Sequence, residues 1–313
     1  MNFLITAVGS MASEATIKGL RDLYPESKIV ATDIYPANWL WQSGIADSFC
    51  RVPEASDDSY ISVLFDICVN NNIDFVIPLI DPEVDVLSEH FQTFEDAGIT
   101  LCIPPKNAID ICRDKLIHHK KLKSKKNVHV IPTLTCLDAA IKKFGYPVIC
   151  KPRKGRSSEG IIKIMNENNS FHSMDGLQNY LIQPHIHGDI YTADVVRDEF
   201  GNSTSVVRKE LIRNKIGAGV TVEVMNHPEL ENISSEIASE LDVTGVINIE
   251  YIFHDKTFFV MDINPRFSAG VHFTVLSGYN VVKNNLRVFL KQKIEPKPML
   301  KEGLYYKSYR THN

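Results

Sequence analysis

The apolar positions divide the chain into two textures. Up to residue 104 short apolar runs alternate with amphipathic stretches. NFLITAV, KIVATDI, IDFVIPLI and ITLCIP read as buried strands, and SEATIKGLRDL, YISVLFDICVNNN and PEVDVLSEHFQTFEDAG as helices. This βαβαβαβ order predicts a parallel sheet covered by helices, so 1–104 is expected to be a Rossmann-like α/β domain. The turn after the first strand holds Gly9-Ser10 without GxGxxG, which argues against an NAD site. PPKNAID at 104–110 breaks the pattern, and RDKLIHHKKLKSKKNVHVIPT then reads as a helix ending in a basic, solvated turn. From 147 onward the texture is paired strands: PVICKP, GIIKIM, YLIQPHI, YTADVVRD, STSVVRKEL, GVINIEYIF and TFFVMDINP. With Gly201-Asn202 as a turn and PELENISSEIASELD as a helix, this predicts an antiparallel α+β unit. No internal repeat is visible.

Composition narrows the classes. At 313 residues two or three compact units are expected, and 44% hydrophobic, 23% charged residues and a net charge of -4 offer no basic field for nucleic acid. The six cysteines form no CxxC pair and read as reduced and buried. The N-terminus has no basic leader and its apolar run is too short to span a bilayer, so no membrane partner and a cytoplasmic location are expected. The eleven histidines lack zinc-ligand spacing and read as surface or packing residues.

Chemistry concentrates in two places. PVICKP delivers Lys151 to a loop, RKGRSSEG, whose Gly155, Ser157, Ser158 and Gly160 offer backbone amides and hydroxyls suited to a polyphosphate. The spacing is not that of a P-loop, and by itself such a loop is more often only a surface connection. Farther on, Glu250 sits in an apolar strand while Asp262 and Asn264 end the next. Paired as a hairpin around His254-Asp255-Lys256, the two carboxylates would share a face and suit Mg²⁺, with Mn²⁺ as a substitute. The competing reading is a pair of sheet acids matched by Lys or Arg. Arg266, just past the strand end, is placed to offset charge on a transferring phosphoryl group.

In order and spacing, LITAVGSMASEATIKGL, RDK at 113–115, YPVICKPRKGRSSEGI, LIQPHIHGDIYTADVV, GVINIEYIF and FFVMDINPRFSAG resemble an ATP-grasp enzyme. Specifically, they resemble the carbamoyl-phosphate-synthase-like and PylC-like carboxylate-amine ligases. The resemblance implies a Rossmann-like preATP-grasp domain (1–104) and a two-lobed ATP-grasp domain, with a small lobe and lid at 105–182 and a large lobe at 183–313. It implies ATP held by Lys115, Lys151 and the lid, and a hinge of Gln183, Pro184, His185 and Ile186 reading the adenine. Mg²⁺ would be held by Glu250, Asp262 and Asn264, with Arg266 and Arg213 on the phosphate and substrate carboxylate. The ribose-binding glutamate of the family is replaced by Ile190, leaving Asp189 as the nearest substitute, and Asp262 stands where a glutamate is usual. RFSAGVHFTVLSGYN would line the acceptor pocket, with His272, Thr274 and Asn280 as candidates. The implied function is activation of a small carboxylate, an amino acid, as an acyl phosphate for attack by an amine, with small-molecule partners and a homodimer among the assemblies the family allows. Carboxylation or phosphorylation of a small acid and a non-catalytic nucleotide-binding module are the alternatives.

Overall fold

The computed structural model describes residues 1–155, 159–167, 179–215 and 217–308. The N-terminal elements run β1 (Asn2–Ile5), α1 (Ser13–Leu23), β2 (Lys28–Asp33), β3 (Ser48–Arg51), α2 (Tyr60–Asn70), β4 (Phe75–Ile77), α3 (Asp81–Glu89), α4 (Phe91–Asp96) and β5 (Thr100–Leu101). The strands form one parallel sheet in the order β3-β2-β1-β4-β5. β1 and β2 read as near-continuous apolar runs because helices cover both sheet faces. The short β3 was not predicted, and the expected helix 82–98 is two helices meeting at His90.

Next come α5 (Lys106–Arg113), α6 (Lys115–Leu122), β6 (His129–Val130), α7 (Leu137–Phe144), β7 (Val148–Pro152), β8 (Ile162–Ile164) and β9 (Tyr180–Pro184). β8, β7 and β9 make a small antiparallel sheet with its own core against α7. Of the segment expected as the small lobe, 105–182, α5, α6 and β6 instead pack on the larger sheet that follows.

The remaining elements are β10 (Asp189–Arg197), β11 (Ser203–Arg213), β12 (Gly219–Met225), α8 (Pro228–Glu240), β13 (Gly245–His254), β14 (Thr257–Asn264), α9 (Val271–Leu276), α10 (Val281–Phe289) and β15 (Gly303–Tyr306). Seven strands run in the order β15-β12-β11-β10-β13-β14-β6, antiparallel except for the β14–β6 pair. One face of this sheet, with Ala193, Val195, Val207, Ile247, Ile249 and Tyr251, is sealed by α8, α5 and α6. Its other face is split along its length. Val196, Val206, Val222, Val224 and Val246 join a core shared with α1, α9, α10 and the N-terminal sheet. Beyond them the same face turns polar, because alternation carries Thr192, Asp194, Arg208, Asn248, Glu250, Asp262 and Asn264 to it. Burying each large apolar side chain contributes about 1.5–3 kcal/mol, so the shared core ties the N-terminal domain firmly to the sheet that bears the polar end.

Candidate active site

A cleft of ≈ 630 Å³ lies over the polar end of the large sheet. Its far wall comes from the N-terminal domain. There the strand order reverses between β1 and β4, and the loops leaving these strands, Gly9 to Ala12 and Leu79 to Pro82, line the cleft. Such a reversal opens a crevice at the carboxyl ends of parallel strands. Behind it, Glu83 is buried against the Thr6 hydroxyl and Tyr60, and burial pushes its carboxyl up to about 7.

On the sheet, Arg208, Thr192, Glu250 and Asp262 stand opposite one another across β11, β10, β13 and β14, and Asp194, Asn248 and Asn264 form the adjacent row. The hairpin turn at Asp255-Lys256, both at positive φ, sets His254 opposite Thr257. Continued regularly, that register would oppose Glu250 to Met261 and send Asp262 to the other face. A bulge after Glu250 adds one residue to β14 and brings Asp262 opposite Glu250. The hairpin expected from the sequence is present, and the bulge is what completes it.

Each carboxylate also meets a cation. Lys115 Nζ lies 3.1 Å from Asp262 Oδ1 and donates to the Gly155 carbonyl at 3.0 Å. Arg213 Nη2 donates to Glu250 Oε2 at 2.8 Å, and its Nε to the Gly217 carbonyl at 2.6 Å. The alternative reading, sheet acids matched by basic side chains, therefore describes this arrangement too. What separates it from an ordinary ion pair is position: both pairs line the cleft and keep 12–26% of their side chains exposed. Burial raises the Glu250 carboxyl above its ordinary range, against the pull of Arg213 and with the help of Asp262. Burial likewise lowers the Lys151 amine, aided by Lys115 and opposed by Asp262 and Glu250.

The RDK triplet has three separate tasks. Arg113 reaches Asp81 at 3.4 Å and Asp85 at 3.0 Å, in the N-terminal domain. Asp114 caps α6 by accepting from the Leu116 and Ile117 amides and receives Arg153 at 2.7 Å, which aims Lys115 into the cleft. Burial works to raise the Asp114 carboxyl, but Arg153 and the capped amides outweigh it and hold it low. Below this turn His118 is buried, and desolvation pushes its imidazole down to about 4 although Asp262 acts the other way.

Arg266 lines the cleft with its guanidinium tied down: Nη2 donates to Asp81 Oδ2 at 2.8 Å and Nη1 to the Phe267 carbonyl at 2.9 Å. Gln183 lines a second, adjoining space of ≈ 10 Å³ that shares Lys115, Lys151 and Met261 with the cleft, and its amide donates to Thr133 Oγ1 at 2.9 Å. The His185 amide donates to the Pro147 carbonyl, and Pro184 and Ile186 continue the same strand end. Asp189 does not line the cleft; it is exposed and paired with Lys209 at 2.6 Å on β11. Of the lid, Gly155 lines the cleft, Gly160 lies beside Pro152, and Ser157 and Ser158 fall outside the described residues. The suggested acceptor residues are placed otherwise than expected. Asn280 caps α10, Thr274 donates to Asp194 within the protein, and His272 stands back from the cleft, whose lining here is Ser268, Ala269 and Gly270. Cys136 is exposed and Cys50 half-buried, so only the other four cysteines fit the buried reading.

Arg208, Glu210 and Asn248, in the buried core of the cleft wall, were not singled out from the sequence. Arg208 donates to Asp194 Oδ2 at 2.7 Å, Glu210 Oε1 at 3.1 Å and Ser268 Oγ at 3.0 Å, while Asn248 donates to Asp194 Oδ1 at 3.1 Å and Thr192 to Glu210 Oε1 at 2.8 Å. Two glycines make room. A Cβ on Gly270 would lie 2.9 Å from the Arg208 guanidinium, and one on Gly219 2.0 Å from Glu210 Oε2.

Among the described residues no three His, Cys, Asp or Glu side chains gather as a self-sufficient metal centre. Two carboxylates and an amide on neighbouring strands are nonetheless a donor set suited to Mg²⁺, which takes one or two protein carboxylates and fills its shell with phosphate and water.

Comparison with known proteins gives the family to which this fold and cleft belong. Residues 112–270 match the ATP-grasp domain and residues 3–102 the PylC-like N-terminal domain. The chain belongs to the ATP-grasp family and carries a PylC-like N-terminal domain. It is 26% identical over 148 residues to 3-methyl-D-ornithine–L-lysine ligase of Methanosarcina barkeri, covering 46% of this chain and 39% of that protein. It is 26% identical over 197 residues to the arginine-specific carbamoyl phosphate synthase large chain of Geobacillus stearothermophilus, covering 56% of this chain and 18% of that one. The match thus spans well under half of either relative. In fold it resembles a biotin carboxylase–ATP complex from Campylobacter jejuni (TM-score 0.79, 16% identity, 96% of this chain and 73% of that chain). It also resembles N5-carboxyaminoimidazole ribonucleotide synthetase from Thermotoga maritima (TM-score 0.71, 18% identity, 97% and 79%). No helix among the described residues is long and apolar enough to cross a membrane.

Proposed function

We propose that the protein is an ATP- and Mg²⁺-dependent ligase that activates a small carboxylate, an amino acid, for attack by an amine. The observation that carries this reading is the pair of rows on the sheet, Glu250–Asp262 and Asn248–Asn264, facing a cleft that also receives Lys115 and Lys151. The name of one relative, a ligase of 3-methyl-D-ornithine and L-lysine, supports amino acids as substrates.

ATP would lie with its base toward Gln183 and its phosphates along Lys151 and Lys115, since the two cavities adjoin through these lysines. The inner space holds about one water, so the hinge must part from β14 to admit adenine. Glu250, Asp262 and Asn264 would hold Mg²⁺, which when bound supplies charge neutralisation at the transferring phosphoryl group. Lys115 and Arg213, released from the two carboxylates, would then face the phosphates, with Arg266 fixed by Asp81 beside them. A substrate carboxylate oxygen attacks the γ-phosphorus and the bond to ADP breaks. The amine nitrogen next attacks the acyl carbon, phosphate leaves with the bonding pair, and the ammonium proton passes to solvent. No side-chain nucleophile is required; positioning and electrostatics carry the rate.

The test is incubation with MgATP, hydroxylamine and pools of amino acids. ADP together with hydroxamate is expected. AMP and pyrophosphate would mean adenylation instead, and the absence of nucleotide turnover with every pool, bicarbonate included, would leave a nucleotide-binding module.

A further inference from the structure

Arg266 is anchored from the other domain. Its Nη2 donates to Asp81 Oδ2 at 2.8 Å and its Nη1 to the Phe267 carbonyl at 2.9 Å, while its Nε is buried without a hydrogen-bond partner among the described residues. A guanidinium carries its five N–H donors in one rigid plane, so holding two of them sets the direction of the rest. The holder is itself held. Asp81, its side chain only 5% exposed, is the first residue of α3 and lines the cleft beside Leu79, Ile80 and Pro82. Pro82 stiffens the backbone directly after it, and Glu83 secures the back of the same turn against Thr6 and Tyr60. Arg113, shared with Asp85 one turn on, reaches Asp81 Oδ1 at 3.4 Å.

The pair is not needed to join the two domains. Phe3, Ile5 and Ile17 already share an apolar core with Phe267, Val271 and Phe273. A buried ion pair adds little to such a joint, because the desolvation of both charges offsets their attraction. What it does fix is orientation. Glu250 and Asp262 line the same cleft and would compete for a loose guanidinium, whereas a partner on the opposite wall draws Arg266 away from them.

We propose that Asp81 is a positioning residue: it holds Arg266 so that the unpartnered Nε edge faces the transferring phosphoryl group. This rests on the ligase reading and deepens it, since the N-terminal domain then takes part in phosphoryl transfer through a side chain that never touches the nucleotide.

Calorimetric titration of the full chain with MgADP and with the magnesium complex of β,γ-imido-ATP, beside the hydroxamate assay, tests this. Asp81→Ala should leave MgADP affinity unchanged, weaken the imido analogue about tenfold and lower kcat/KM for hydroxamate formation at least about tenfold. Asp81→Asn, nearer the native shape, should show the same pattern and takes its place should the alanine variant fail to fold. Asp85→Ala removes the other carboxylate of Arg113 from the same helix and should keep both readouts within about twofold of wild type. Since Asp81 acts through Arg266, adding Asp81→Ala to Arg266→Gln should cost nothing further; a carboxylate that only joined the domains would cost the same in both backgrounds. The proposal is overturned if Asp81→Ala keeps the wild-type ratio of the two affinities, if Asp85→Ala lowers that ratio as far, or if the Asp81 and Arg266 losses add. Absence of hydroxamate with every pool would remove the ligase reading and leave the affinity ratio to decide on Asp81, and binding of neither nucleotide by the wild type would remove both.

Discussion

Two clusters of paired charges sit side by side on one sheet face, and they are built differently. In the first, Asp262 and Glu250 each lean on one cation, Lys115 or Arg213, with side chains still partly open to the cleft. In the second, Arg208 is only 2% exposed and is met by Asp194, Glu210, Ser268 and Thr274. A single partner can be exchanged for a ligand at little cost, whereas an encircled guanidinium cannot move without stranding buried charge. The first cluster is therefore suited to bind and release, and the second to hold the wall in place.

The largest effect expected from breaking this contrast is on stability. Arg208→Met leaves Asp194 and Glu210 buried without a cation and should cost about 3–5 kcal/mol in urea unfolding. Next, Asp262→Asn or Glu250→Gln should lower MgATP-dependent ADP release roughly 100-fold while changing stability by less than about 1 kcal/mol. Equal stability losses in both clusters would erase the distinction. Gly270→Ala, whose methyl would press on Arg208, should cost about 1–3 kcal/mol; the same change at Gly201, which has open space around its Cβ position, isolates the effect of its positive φ.

The smallest effect sharpens the comparison through pH. His118 lies beneath the first cluster with its imidazole pushed down to about 4, so its contribution is present above the unfolded value of 6.5 and is lost as pH falls toward 4. Glu83, pushed up to about 7 from 4.5, contributes in the opposite sense: its stability is present below 4.5 and is lost as pH rises toward 7. In wild type the two slopes oppose each other. Glu83→Gln should unmask His118, and the stability of the variant relative to wild type should rise by about 1 kcal/mol per pH unit between about pH 5 and 6.5. A constant difference in urea midpoints across that range would reject this account.

Much of the first cluster was legible because it breaks a pattern. Glu250 and Asp262 interrupt apolar strands, and Lys151 precedes a glycine-rich loop, so local sequence alone raised the question. The second cluster was not, since Arg208 in VVRKEL has the look of an exposed strand residue and Asn248 is lost in an apolar run. Asp81 was invisible for another reason: it meets Arg266 across 185 positions of chain, and nothing local announces such a contact. The parallel N-terminal sheet followed from its apolar runs, but β3, β6 and β15 are too short to stand out, and β12 starts at a glycine that reads as a loop.

The bulge after Glu250 gives the β13–β14 hairpin a parity. If Met261 were instead paired regularly with Glu250, every position of β14 beyond Met261 would exchange inside for outside, and Asp262 would be driven into the greasy layer beneath α8 while Ile263 looked out over the cleft. Regular pairing of Met261 with Glu250 would thus change no letters and invert the chemistry, whereas excision of Met261 would keep Asp262 opposite Glu250, which makes residue counting, more than residue identity, the guardian of this face of the sheet.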